Sequence, residues 1–387
     1  MIALINCKAV TIANGIIEPA AILVENGKIV EVGAAAEVAI PSEAEVIDLS
    51  GKWVTPGFID AHSHMAMGEP GVKGGGDDDN EMVDPVTTHV RMIDSLNPWS
   101  IGIPAARMGG FTCVCSLPGS ANVIGGTGIA LKLKDANSVL DLVIPGTEVM
   151  KMALGENPKG CYGSQKRMPM TRMGTGAVLR ETLFNAKQYA DELEEAEKEG
   201  KPFKHNFKLD PLVPVVRGEM RCRVHCHRAD DILTAVRIGE EFGLDLVVEH
   251  CTEGFKVADI LAKKNVKCVV GPLRLIPAKE EIWNCTMENP GILEKAGVEF
   301  ALSADAQTAT RWLPEEAGIA VAYGLSEETA LKALTIQPAK ILNLDDRMGT
   351  LEAGKDADLA IFDGHPLSNM TRCKATMVDG VFYFNEL

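Results

Sequence analysis

The first fifty residues alternate short apolar runs with turn dipeptides. Residues 9–12, 21–24 and 28–30 read as strands, and Asn14-Gly15 and Asn26-Gly27 as hairpin turns. Residues 357–362 and 375–383 repeat that character near the other end. Neither end carries enough apolar surface to bury a core alone, so residues 1–54 and 347–387 are expected to combine into one small β-sandwich. Between them, from 55 to 346, strands alternate with helices, the pattern of a parallel sheet with helical crossovers. The strand candidates are 58–64, 112–117, 128–133, 149–154, 223–227, 244–250, 267–271 and 299–305. Eight is the number that closes a (β/α)8 TIM-type barrel. Leu179, Leu183, Ala186, Ala190 and Leu193 form a helical stripe that Gly200 ends. Asp230 is expected to cap a helix stopped by Gly243, and Ser326 to cap another with Glu327 and Glu328 in its first turn. No helical pattern separates strands two and three; residues 122–128 read as a glycine-rich loop, with Pro56-Gly57 as a turn before strand one.

The chain's 387 residues accommodate one large α/β domain and a smaller one. A net charge of −16 argues against nucleic acid as a partner, which needs a cationic face. No apolar run approaches the roughly 20 residues of a membrane span, and the first residues lack a signal-peptide pattern. A cytoplasmic protein acting on a small molecule is therefore expected, and a homo-oligomer is compatible with the sequence. None of the ten cysteines forms a C-x-x-C pair; Cys113, Cys115, Cys222, Cys226, Cys251 and Cys268 lie in strand-like runs and read as reduced core residues. The glycine-rich segment lacks the Lys-Ser/Thr of a phosphate-binding loop, which argues against nucleotide binding.

Histidine carries more information. His62, His64, His225, His227 and His250 all end apolar strand-like runs, whereas His89, His205 and His365 lie in polar or helical surroundings. Two residues apart on a strand, His62 and His64 face one side about 6–7 Å apart. Asp305 ends strand eight, and Lys151 lies in strand four with Met150, Met152 and Leu154 facing away from it. Barrel sites form at the C-terminal ends of the strands, and imidazole with carboxylate suits zinc and other first-row divalent ions.

The segment VTPGFIDAHSH, the strands RVHCH and VVEHC, the segment ALSAD and the C-terminal GTLEAGKDADLAIFD together resemble the amidohydrolase superfamily, and HCHRADDI followed by VVEHC resembles its imidazolonepropionase-related and prolidase-like members. The resemblance implies a metal-dependent hydrolase of C–N bonds, in an amide or cyclic amide of a small molecule or in a dipeptide. It implies that His62, His64, His225 and His250 bind one or two divalent ions, zinc foremost, and that Asp305 shuttles the proton from water to the leaving nitrogen. A carboxylated Lys151 or an unmodified Glu156 would bridge two ions; a mononuclear site is the third arrangement. His225 is taken as the ligand and His227 as a substrate contact, roles that exchange if the register differs by that pair. Arg172 and Arg228, with Arg167, are candidates for holding a substrate carboxylate. The acidic segment 74–81 reads as a lid or as a solvated loop. Deamination of a heterocycle and a non-catalytic scaffold are the competing functions.

Overall fold

The computed structural model describes residues 1–69 and 78–387, so residues 74–77 of the acidic segment lie outside the described residues. Five strands open the chain: β1 (Ile2–Val10), β2 (Ile16–Glu25), β3 (Lys28–Ala34), β4 (Glu45–Asp48) and β5 (Trp53–Pro56). Eight follow: β6 (Phe58–Ser63), β7 (Phe111–Ser116), β8 (Ile124–Lys132), β9 (Val149–Ala153), β10 (Cys222–Cys226), β11 (Leu246–His250), β12 (Lys267–Val270) and β13 (Phe300–Leu302). The last are β14 (Leu359–Phe362), β15 (Cys373–Val378) and β16 (Val381–Asn385).

Strands from both ends form one sheet in the order β16-β15-β14-β5-β1-β2-β3, with β4 also on β1. Asn26 and Gly27, at φ of 51° and 77°, make the turn from β2 to β3, the two left-handed residues that a type I′ hairpin requires. The run 375–383, expected as one strand, is two, because Asp379-Gly380 at 48° and 79° repeats that turn. Period-two alternation gives the sheet two apolar faces. Leu4, Ile22 and Val24 pack with Leu359, Ile361 and Met377, while Ala3, Ala21 and Leu23 pack with Val38.

Pro56-Gly57 is not a turn; β5 runs on into β6 with only Gly57 between them. A Cβ at Gly57 would lie 2.2 Å from the Thr112 side chain, so glycine is required there by β7 rather than by chain reversal. The second sheet follows chain order from β6 to β13, and its strand pairs are parallel except around β8. That strand is antiparallel to both β7 and β9. The short loop from β7 to β8 leaves no room for a helical crossover of a dozen residues, so the eight-stranded barrel contains one reversed strand. At the seam, Ser303 Oγ donates to the His62 carbonyl at 2.6 Å and Ser63 Oγ to the Ala306 carbonyl at 2.8 Å, linking β13 back to β6.

Helices pack outside. The stripe from Leu179 lies on the helix Arg172–Glu199, which ends at Gly200 with φ 64°. Ser326 accepts from the Thr329 amide and caps the helix Glu327–Lys332. The helix Ala229–Phe242 begins two residues earlier than expected: Arg228 is its N-cap, and Asp230 sits in the first turn with its carboxylate on Arg228. Met150, Met152 and Leu154 face these helices in the main core, whereas Ala61, Val247, Val269 and Ala301 meet inside the ring against Ile341. The cysteines are all unpaired and mostly buried.

Candidate metal centre

Adjacent strands bring their inward residues level. Lys151 pairs with Arg223, and His225 with Glu249, across the parallel ladders. Alternation along β11 would send Glu249 and His250 to opposite sides. His250 instead has φ 65° and Cys251 46°, and this left-handed step turns the imidazole into the mouth beside Glu249. Asp305 also has a positive φ, 45°. Such residues cost on the order of 1–3 kcal/mol each and cluster at functional sites.

Two triads result. His62, His64 and Asp305 form one, and His225, His227 and His250 the other; within each, the candidate ligand atoms all lie within 4.8 Å of one another. The triads share a wall, with the His62 and His250 rings 4.8 Å apart. Protons are fixed by what surrounds them. His64 Nδ1 lies 2.7 Å from the Leu117 carbonyl and His250 Nδ1 2.9 Å from the Gly271 carbonyl. A carbonyl only accepts, so both Nδ1 atoms carry the proton and both Nε2 atoms keep their lone pairs. His62 Nδ1 meets Glu249 Oε2 at 2.6 Å with the same consequence. The freed Nε2 atoms of His62 and His64 lie 3.3 and 3.0 Å from Asp305 Oδ1, an oxygen that is buried without a hydrogen-bond donor. His225 Nδ1 is likewise buried and unpartnered. Apart from Lys151, whose Nζ lies 3.1 Å from His62 Nε2, lone pairs converge here with no proton between them, which is what a cation requires, and rings oriented from their outer nitrogen are the usual support for it.

Burial holds His62, His225 and His227 well below the ordinary imidazole range and takes His250 down to about 4, so the rings are neutral, as ligands must be. For Asp305, burial pushes the carboxyl up, but its surroundings hold it below its usual range, with Lys151 the cation among them once the imidazoles are neutral. Burial brings Lys151 down to about 8 against the pull of Glu249 and Asp305. Its Nζ lies 3.1 Å from His62 Nε2, so the inward orientation inferred from the flanking methionines holds.

Other expected residues sit elsewhere. Glu156 begins the helix Glu156–Ser164 and is outside both triads; its amide donates to Glu281. Arg172 is engaged by Asp231, and Arg228 by Asp230 and Glu280. Arg167 donates to the Val83 carbonyl.

Sequence reasoning passed over four buried charges. Glu249 and Arg223 are both wholly buried and paired, and Arg223 also donates to the Ala61 carbonyl at 2.7 Å. Charges inside apolar strand runs were the available signal. Asp60, pushed up to about 7 by burial, accepts from Thr310 at 3.0 Å. Glu281 lies 3.7 Å from both His225 and His227, in a loop whose sequence carries no pattern.

The amidohydrolase family profile matches residues 222–383, from the start of β10 into the last hairpin. An amidohydrolase from Thermotoga maritima of known crystal structure is 42% identical over the whole of both chains, with a TM-score of 0.95. The chain therefore belongs to the amidohydrolase family. It is 28% identical to the amidohydrolase tasK of Hapsidospora irregularis over 94% of this chain but only 40% of that one, so it spans about two-fifths of that relative. An imidazolonepropionase of Maricaulis maris is 26% identical over 90% of this chain and 88% of its own length. Among the described residues no helix is long and apolar enough to cross a membrane.

Proposed function

We propose that the protein is a metal-dependent hydrolase that cleaves a C–N bond in a small amide, cyclic amide or dipeptide. The observation that carries this reading is the proton arrangement: Nε2 of His62 and of His64 faces a carboxylate oxygen with no hydrogen to share. In this reading His62, His64 and Asp305 hold one divalent ion, His225 and His250 a second, and zinc is the ion their chemistry favours. Such ions, when bound, acidify a water molecule and polarise the carbonyl or amidine carbon it attacks.

The chain's own part is proton handling and orientation. Asp305 accepts the proton of the attacking water on one oxygen and hands it to the departing nitrogen, which asks for a group that is anionic at rest and within reach of both. Its depressed titration range supplies the first condition. Lys151 is the better bridge than Glu156, since its nitrogen lies 3.1 Å from His62 Nε2 whereas Glu156 is outside both triads. Attack of its neutral amine on carbon dioxide forms an N–C bond and releases one proton, leaving an anionic oxygen donor. His227, the third member of the second triad, is assigned to substrate. The small domain of residues 1–54 and 347–387 is assigned a supporting role, and the barrel of 55–346 the hydrolysis.

The test is direct. Purified protein is analysed for metal, loaded with zinc or manganese, and assayed on N-acyl amino acids, dipeptides and cyclic amides with ammonia release followed in parallel. Asp305→Asn should lower kcat at least 100-fold, in keeping with the loss of a general acid–base, while substrate binding survives. Free ammonia without ring or peptide opening would replace the reading with deamination. Absence of bound metal and of turnover across the panel would replace it with a scaffold.

A further inference from the structure

The second triad has a feature outside the family resemblance. Glu281, in the loop after β12, has a wholly buried carboxylate. Its Oε1 lies 3.7 Å from His225 Nε2 and 3.7 Å from His227 Nε2, while Lys279 Nζ donates to the same oxygen at 2.6 Å and the Glu156 amide to Oε2 at 2.8 Å. Each oxygen has one donor and can accept a second, and the nearest to Oε1 are the two imidazoles.

His225 poses the complementary problem. Its Nδ1 is buried with no partner. If Nδ1 carried the proton, that donor would have no acceptor, at a cost of about 1–3 kcal/mol. If the proton sits on Nε2, Nδ1 is a bare lone pair facing His250 and His227, and the proton points toward Glu281. Asn157 Nδ2 also approaches Nε2, at 3.5 Å; one of its hydrogens goes to Ser120 at 2.7 Å and the amide oxygen is held by Lys279 at 2.9 Å, so the contact to Nε2 is the long and weak one of the three. An anion outcompetes a shared neutral donor for the site beside Nε2.

We propose that Glu281 is a positioning residue for the second ion: with the ion bound, its carboxylate, 3.7 Å away in this structure, closes on His225 and accepts a hydrogen bond from Nε2–H, and the bare Nδ1 of that ring is thereby directed at the metal. The proposal rests on the metal-centre reading above and adds to it a residue that acts through His225. Lys279 keeps the carboxylate anionic and in place, and the loop after β12 thus controls occupancy of one triad without contacting the ion.

The experiment compares wild-type protein with Glu281→Gln and Lys279→Met, each loaded with cobalt and dialysed against graded chelator. Metal content and the visible absorption of cobalt report the number of ions held and their coordination. Glu281→Gln should weaken one of the two ions by about 10- to 100-fold, the usual effect of losing an outer partner of a ligating histidine. The ion at His62, His64 and Asp305 should stay, and Lys279→Met, which keeps the carboxylate, should lose less than Glu281→Gln. A measurement free of any folding defect is made on the wild-type protein: nitrogen-15 NMR with cadmium bound should show His225 coupled to the metal through Nδ1 and protonated at Nε2. Coupling through Nε2, or equal retention of both ions by Glu281→Gln and the wild type, overturns the proposal alone. A wild-type protein that keeps no ion overturns the metal reading and this proposal together.

Discussion

Glu249→Gln should be among the most destabilising conservative changes available to this chain. The carboxylate is wholly buried and divided between two donors, Arg223 Nε on one oxygen and His62 Nδ1 at 2.6 Å on the other. Glutamine has the same shape but only one accepting atom. Whichever donor its oxygen serves, its amide hydrogens face the other, so one donor-to-donor contact is left in a dry interior. The larger effect is charge: Arg223 stays cationic and wholly buried, with the Ala61 carbonyl at 2.7 Å as its remaining strong acceptor. Breaking a buried pair by neutralising one partner costs about 3–5 kcal/mol. Arg223→Met should cost a similar amount for the opposite reason, an anion stranded beside His62. In the double variant the glutamine oxygen accepts from His62 and nothing charged is left unpaired, so the double should be no worse than the worse single.

Urea denaturation of the metal-free proteins measures this, with the midpoints of all four members of the cycle compared under one buffer. A coupling energy of about 3 kcal/mol or more is expected, well beyond the 0.3–0.5 kcal/mol within which independent sites add. Additive single variants would refute the reasoning, because they would mean that Glu249 and Arg223 do not neutralise one another. Glu249→Gln within 1 kcal/mol of wild type would refute it more simply.

Lys132 is buried against Asp358 at 2.8 Å, Asp379 at 2.8 Å and Asp356 at 3.0 Å, and ties β8 to the small domain. Burial raises these carboxyls and Lys132 lowers them, with a net fall for Asp356 and Asp379, so their stabilisation is complete above about pH 4 and lost as pH falls through their lowered values. Lys132→Met leaves Asp358, already raised by burial, without its cation. The variant should be about 3–5 kcal/mol less stable at pH 7, with the gap to wild type narrowing as those carboxyls protonate toward pH 4; a gap independent of pH in urea titrations would refute this. Arg172→Ala and Arg228→Ala should change KM for any carboxylate-bearing substrate less than threefold, because each guanidinium is held by a carboxylate of its own. A tenfold rise in KM for either would show that the arginine turns to substrate on binding.

The frame of the site was legible because strand alternation is a local rule. His62 with His64, Lys151 among methionines, and His225 with His227 each follow from a period of two, and the structure keeps all three. Turn chemistry was legible where two left-handed residues adjoin, as at Asn26-Gly27, and was missed at Asp379-Gly380 because the flanking apolar residues masked the break. Gly57 was read as a turn because glycine signals both freedom of the backbone and the absence of a side chain; here the second meaning applies, and only Thr112, 55 residues away, reveals it. The reversed β8 escaped for a related reason. Its apolar content does not encode direction, which is set by the length of the loop before it.

The acidic residues are the instructive failure. Glu156 was chosen as a bridge by its nearness in sequence to β9, yet the carboxylate that reaches the second triad is Glu281, 125 residues further on, with the amide of Glu156 hydrogen-bonded to it. Sequence distance was a poor guide because the triads are assembled across strand ends, where neighbouring loops approach from opposite parts of the chain. Glu249 was overlooked for a different reason. Alternation assigns opposite directions to Glu249 and His250, so an inward His250 on a regular strand leaves its neighbour facing out. The left-handed backbone at His250 removes that exclusion, with a φ that is uncommon for any residue other than glycine. The strain therefore has a structural return: one strand end supplies both an imidazole to the mouth and, one residue earlier, the anion that orients the imidazole of β6. Replacing His250 by a residue that relaxes to ordinary strand geometry would disturb His62 as well, so the two triads are coupled through the backbone of β11 as much as through any shared ion.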